Sequence, residues 1–179
     1  MEHKKKERLG RVLVLTGNGK GKSSSAIGMA FRAAGWGMKV CVIQFIKGAW
    51  PTGEEKAAKM FDNLEWHALG DGFTWKTEDP EGDRLKSREI WEFCRQKALS
   101  GAFDLVVFDE INMALGFGWL TDEEVVHFIR EERPKSLHLV MTGRNAPQAI
   151  MNAADTVTEM VEVKHAFNEG IKACKGVEF

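Results

Sequence analysis

One stretch constrains this chain more than any other: Thr16-Gly17-Asn18-Gly19-Lys20-Gly21-Lys22-Ser23-Ser24, placed directly after the apolar run Val12 to Leu15. Glycine at 17, 19 and 21 adds backbone freedom that a helix or strand interior would have to remove. Such a chain suits wrapping its own N–H groups around an anion. A helix starting just beyond it would aim its positive end and its free N–H groups at the same point. Lys22 adds a mobile positive charge, and the Ser23 hydroxyl is a ligand of the kind a magnesium ion takes. The stretch reads as a phosphate-binding loop, with Gly17, Asn18, Gly19, Lys20, Gly21, Lys22, Ser23 and Ser24 as its cradle. The pattern G-x-x-x-x-G-K-[ST] would require glycine at position 16, where Thr16 stands; counted from Gly17, the loop is one residue short. The alternative is a glycine-rich turn that only caps a helix, with Lys22 solvated.

The length of 179 residues suits a single domain with a substantial core, taken as 11–179 behind an N-terminal arm, 1–10. Lys plus Arg number 25 and Asp plus Glu 26, so no global field favours nucleic acid or a membrane surface. Cys41, Cys94 and Cys174 are far apart and lack metal-ligand spacing, which fits a reduced, cytoplasmic setting. Lys4-Lys5-Lys6 has no apolar segment behind it, and no run approaches the length of a membrane span, so neither a signal peptide nor a membrane anchor is expected.

Along the chain, apolar strands alternate with helical patterns. Strands are predicted at Arg11 to Thr16, Lys39 to Phe45, Leu64 to Leu69, Phe103 to Glu110, Leu137 to Thr142 and Thr156 to Val163. Between them, helices are predicted at Ser24 to Ala34, Glu54 to Asp62 and Asp83 to Leu99, then after a capping box at Thr121-Asp122-Glu123-Glu124, ending before Pro134. Asn145 is expected to cap a short helix with Pro147 in its first turn, while the segment after Val163 has no readable period. This alternation predicts an α/β fold of about six strands, mostly parallel, with helices on both faces. Ligands of such sheets bind beyond the carboxyl ends of the strands. That gathers the phosphate loop, the loop carrying Trp50, the pair Asp109-Glu110 and the segment Thr142 to Asn145 along one edge.

Asp109 and Glu110 close an apolar strand, where phosphate-loop proteins keep carboxylates that bind magnesium or orient water; the alternative is a carboxylate capping the next segment. Arg32 and Arg144 are candidate phosphate or nucleotide contacts, or else ordinary surface arginines. Phe73 and Trp75 lie in a glycine-flanked polar loop, where large aromatics either meet a flat apolar ligand or tuck under as local core. The five histidines share no metal-ligand spacing, with His127 expected on a helix face and His138 within the sheet. No acid–base dyad is readable.

The words TGNGKGKSSSAIGMAFRAAGWGMKV, VIQFIKGAWPTGE, GDGFTWKTED, VVFDEINMAL, VMTGRNAP, ADTVTEM and VKHAFNEGIKACKGVEF, in this order, resemble the phosphate-loop type of ATP:corrinoid adenosyltransferase. The resemblance spans nearly all of residues 11 to 179. It implies a RecA-like P-loop NTPase fold, a homodimer, and attack by Co(I) of a reduced corrinoid on the 5′ carbon of ATP with release of triphosphate. It also implies an electron-donating flavoprotein partner and a triphosphate lying in the loop with reversed polarity. On these positions Lys22 would neutralise phosphate charge, and Ser23 and Glu110 would sit on or near magnesium, with Asp109 beside them. Phe73 and Trp75 would crowd out the corrinoid's lower axial ligand, which makes Co(II) easier to reduce. Better-known relatives carry a longer N-terminal segment over the corrinoid site, so coverage of that site is expected to be weaker here or supplied differently.

Overall fold

The computed structural model of the chain describes residues 9–46, 52–70 and 79–178. Six strands form one sheet in the order β3-β2-β4-β5-β1-β6: β1 Val12–Thr16, β2 Val40–Gln44, β3 Leu64–Ala68, β4 Leu105–Asp109, β5 His138–Thr142 and β6 Thr156–Glu159. Every pairing is parallel, so the carboxyl ends of all six strands lie on one edge. The predicted sheet is therefore present, and among the described residues it is wholly parallel.

Side-chain alternation along each strand builds the two cores. Val12, Val14, Cys41, Ile43, Val106, Phe108, Leu139 and Met141 face one side. They meet α3 (Pro80–Leu99), α4 (Ile111–Gly116), α5 (Asp122–His127) and α6 (Gln148–Ala153). Trp91 of α3 packs edge-on against Phe108 and Phe128, with ring centroids 6.1 and 5.4 Å away. On the other side Leu15, Val40, Val42, Val107 and Val140 meet α1 (Lys22–Gly35) and the end of α2 (Gly53–Ala58). Ala26, Ala30, Ala33 and Ala34 give α1 a flush apolar face, so the helix lies close on the sheet.

The ends of these elements follow local chemistry. At Gly37, φ is 77°, and its N–H reaches Ala34 O at 2.9 Å while Met38 N–H reaches Ala33 O at 3.0 Å, a left-handed stop that closes α1. Asp79 caps α3 through Gly82 N–H at 3.0 Å with Pro80 behind it, so α3 begins earlier than the expected Asp83. Thr121 and Glu124 form the predicted capping box of α5. That helix widens into a π-helical turn at Phe128–Glu132 and stops at Arg133, before Pro134.

Three expectations are corrected. Glu110 is not the last residue of β4: its φ of 66° turns the chain out of the strand and starts α4, a helix the sequence reading lacked. Asn145 adopts φ 53° and caps nothing; Pro147 occupies the N-cap of α6. The sixth strand stops at Glu159 rather than Val163, and the following segment carries a 3-10 turn at Ala166–Glu169. His127 lies exposed at the end of α5, and His138 opens β5, half-buried, its Nδ1 accepting the Arg11 N–H at 3.1 Å.

Candidate functional site

The loop between β1 and α1 occupies the carboxyl edge of the sheet and is braced from behind by the chain leaving β6. Met160 N–H donates to Thr16 O at 2.8 Å, and Gly19 N–H donates to Met160 O at 2.7 Å. This close approach explains two of the glycines. A Cβ on Gly17, at φ +93°, would lie 2.4 Å from Met160 O, and one on Gly19 would lie 2.7 Å from Val161 O. Gly21, at φ +114°, is the N-cap of α1. The first intrahelical donor is Ser25 N–H to Gly21 O at 2.8 Å, so the amides of Lys22, Ser23 and Ser24 precede the helical ladder, as at any helix start. Gly17→Ala is expected to lower stability by about 2–3 kcal/mol, since it combines a disfavoured φ with a backbone collision. A chemical-denaturation curve with an unchanged m-value and a lower midpoint checks this.

Lys22 is only 7% exposed, and its Nζ donates to Gly19 O at 2.7 Å, folding the side chain back over the loop. Burial lowers its pKa; the Glu110 carboxylate acts in the opposite sense, and the Arg144 guanidinium lowers it again. These influences place Glu110, just after β4, and Arg144, from the chain after β5, within electrostatic reach of the loop lysine. Ser23 is half-buried in the first turn of α1, next to Lys22. Asn18, Lys20 and Ser24 are exposed, and Lys20 pairs with Glu178 at 3.6 Å.

Asp109 and Glu110, adjacent in sequence, have separate surroundings. Asp109 is 0% exposed: Oδ2 accepts from Gln44 Nε2 at 2.8 Å and Oδ1 accepts from Thr142 Oγ1 at 2.7 Å. Thr142 Oγ1 in turn accepts the Glu110 N–H at 2.9 Å. This chain of bonds joins β2, β4 and β5 at their carboxyl ends and holds Glu110 in its left-handed conformation. The Asp109 carboxylate thus faces its strand neighbours, each of its oxygens already accepting one hydrogen bond. The Glu110 side chain makes no capping bond to α4, which removes the capping alternative. Thr16 Oγ1 accepts the Ala146 N–H at 3.0 Å, and Asn112 Nδ2 donates to Gly143 O at 3.0 Å, so the segment bearing Arg144 is tied to β1 and α4.

Gln44 and Asn112 were missed as site residues. Gln44 had a signal, a polar residue ending an otherwise buried strand; Asn112 had none without the fold. Arg32 is not brought to the loop. It lies in the last turn of α1, about 15 Å along the helix from Lys22. There it lines an open groove of about 620 Å³ at the amino edge of the sheet, with Met29, Trp36, Met38 and His138. Phe73, Trp75 and Trp50 lie outside the described residues.

A parallel α/β sheet with a glycine loop entering a helix, and a lysine, a hydroxyl and a carboxylate around it, defines a phosphate-loop NTPase-like domain. The cytoplasmic domain of EssC shares this fold, at TM-score 0.54 and 10% identity over 93% of this chain and 34% of that one. The chain belongs to the ATP:corrinoid adenosyltransferase family BtuR/CobO/CobP, whose sequence profile matches residues 8–179. It is 50% identical over 175 residues to the corrinoid adenosyltransferase of Pseudomonas aeruginosa, covering 97% of this chain and 86% of that protein. The corrinoid adenosyltransferase of Sinorhizobium sp. is 45% identical, over 98% of this chain and 83% of that protein. The corrinoid adenosyltransferase CobA of Salmonella typhimurium is 38% identical, over 97% and 87% respectively.

Proposed function

We propose that the chain transfers the 5′-deoxyadenosyl group of ATP to Co(I) of a reduced corrinoid and releases inorganic triphosphate. The observation that carries this reading is the match of residues 8–179 to the ATP:corrinoid adenosyltransferase family, supported by a glycine loop at which Lys22 feels the charges of Glu110 and Arg144. The Co(I) electron pair forms the cobalt–carbon bond at C5′; the C5′–O bond breaks, and its electron pair leaves with the triphosphate. A nucleophile of this kind carries no proton to remove, so the protein's task is to position two substrates and offset charge on the leaving group.

Lys22, Arg144 and the amides of the loop and helix start are the groups that offset it. Before ATP arrives Lys22 is bonded to Gly19 O, and it exchanges that carbonyl for phosphate oxygen. The oxygen donors Ser23 and Glu110 fit magnesium, which prefers hydroxyl, carboxylate, water and phosphate ligands, whereas Asp109 is engaged by Gln44 and Thr142. When bound, magnesium supplies further neutralisation of the triphosphate. Asp109 serves by fixing Glu110. A cytoplasmic homodimer served by an electron-donating flavoprotein completes the proposal. No helix among the described residues is long and apolar enough to cross a membrane.

The resemblance assigns Phe73 and Trp75 to the corrinoid's lower face, and this is tested without reference to their placement. Phe73→Ala with Trp75→Ala is expected to lose activity at least about tenfold when Co(II) corrinoid and a reductant are supplied, and far less with preformed Co(I). Equal losses in both assays would contradict the axial-ligand role. Adenosylcorrinoid formed over many turnovers would separate an enzyme from a nucleotide-gated carrier.

A further inference from the structure

We propose that Cys41, Glu65 and His67 form a second cation site, for zinc or a similar borderline divalent metal, on the edge of the sheet away from the phosphate loop. Strand register builds it. Cys41 of β2 lies opposite Glu65 of β3, and Ile43 lies opposite His67, so residues 41, 65 and 67 share one face of neighbouring strands. Their donor atoms, one sulfur, one carboxylate oxygen and one imidazole nitrogen, lie within 4.8 Å of one another. Donors around a tetrahedral zinc at about 2.0–2.3 Å would be separated by about 3.3–3.8 Å, so the site needs a contraction of at most about 1–1.5 Å. His67 Nε2 is already 3.2 Å from Glu65 Oε2. Three protein ligands of mixed N, O and S type leave the fourth position to water.

Two further observations point to a cation here. The Lys97 ammonium, from α3, sits 2.6 Å from Glu65 Oε2 and lies over the rings of Phe93 and Phe103, at 5.4 and 5.6 Å. The spot already attracts one positive charge, and Lys97 acts as a built-in competitor for it. The imidazole is also held in orientation, its ring edge-on to Phe93 at 4.9 Å. The Glu65 side chain is half exposed, which gives an ion a route in, while Cys41 is fully buried behind it. Burial, with the Glu65 carboxylate adding to it, pushes the Cys41 thiol up to about 12. Metal binding therefore displaces the thiol proton to solvent and moves Lys97 off Glu65. The Cys94 thiol, on α3, also lies within electrostatic reach of Cys41 and is buried. The site would pin the edge strand β3 to β2 about 10 Å from the carboxyl edge, without touching the nucleotide.

Cobalt(II) added to the full-length reduced protein tests this directly. A near-ultraviolet thiolate-to-cobalt band is expected, displaced by zinc, lost in C41S and retained in C174S. H67A should weaken binding at least about tenfold, and K97M should tighten it about fivefold, the equivalent of losing an exposed ion pair of up to about 1 kcal/mol. Melting curves of the metal-free variants establish that each is folded; should C41S fail to fold, H67A and K97M decide between them. The proposal is overturned by absence of the band, by a band that survives C41S but vanishes in C174S (capture of an adventitious ion by an exposed thiol), or by unchanged affinity in both H67A and K97M.

Discussion

Lys22→Ala is expected to lower kcat/KM for adenosyl transfer by about a hundred- to a thousandfold, with a melting temperature within a few degrees of the parent. The two halves of this expectation have one cause. Lys22 is held out of water at the loop, and burial lowers its pKa, so its ammonium is maintained at a cost to the free protein. Its compensation before ATP arrives is the bond to Gly19 O, together with the nearby Glu110 carboxylate. Removing the side chain gives up that bond but also removes the desolvated charge, and the two nearly cancel. In the reacting complex there is no such cancellation, because negative charge grows on the triphosphate as the C5′–O bond breaks. Lys22→Met, which keeps the apolar stem, should match the activity loss and retain at least the parent's stability. A large stability loss in both variants would show that the lysine is a structural strut rather than a charge aimed at the ligand.

Asp109→Ala is expected to act in the opposite order, on stability first. It leaves Gln44 Nε2 without its acceptor and frees Thr142 Oγ1 from its anchor, in a location with no exposure at all. Stranding buried donors of this kind should destabilise by about 2–4 kcal/mol, a fall in melting temperature of about 5–15 °C for a domain of this size. Activity should then fall through Glu110, whose left-handed backbone depends on the Thr142 bond. If Asp109 acts by positioning, the variant should show a weakened response to magnesium that Asp109→Asn largely restores, since the amide still offers Thr142 an acceptor. A stable Asp109→Ala protein whose only defect is a lost metal contact would contradict this assignment.

The legible parts of the fold are those whose signals are local. The apolar run into the glycine loop, the alanine face of α1, the capping box at Thr121 and the four buried strands each announce themselves within a dozen residues. What was not legible depended on partners distant in sequence. Nothing near Glu110 indicates a left-handed turn, because its support comes from Thr142, on another strand. Asp109 and Glu110 look equivalent in sequence; the neighbour relation of β2 to β4 and β5 makes one a buried brace and leaves the other beside Lys22. Arg32 looked close to the loop in sequence, but ten residues of helix carried it to the opposite edge. Cys41, Glu65 and His67 have no metal-ligand spacing, and only strand register brings them together.

The central claim is that the loop presents the 5′ carbon of ATP, rather than a phosphorus atom, to the incoming nucleophile. The most direct measurement is the fate of the phosphates when the protein is given ATP, magnesium and a chemically reduced corrinoid. Intact inorganic triphosphate, formed in step with adenosylcorrinoid and lost together with it in Lys22→Ala, is the predicted result. ADP or free orthophosphate formed as the primary product, with no cobalt–carbon bond appearing, would contradict it.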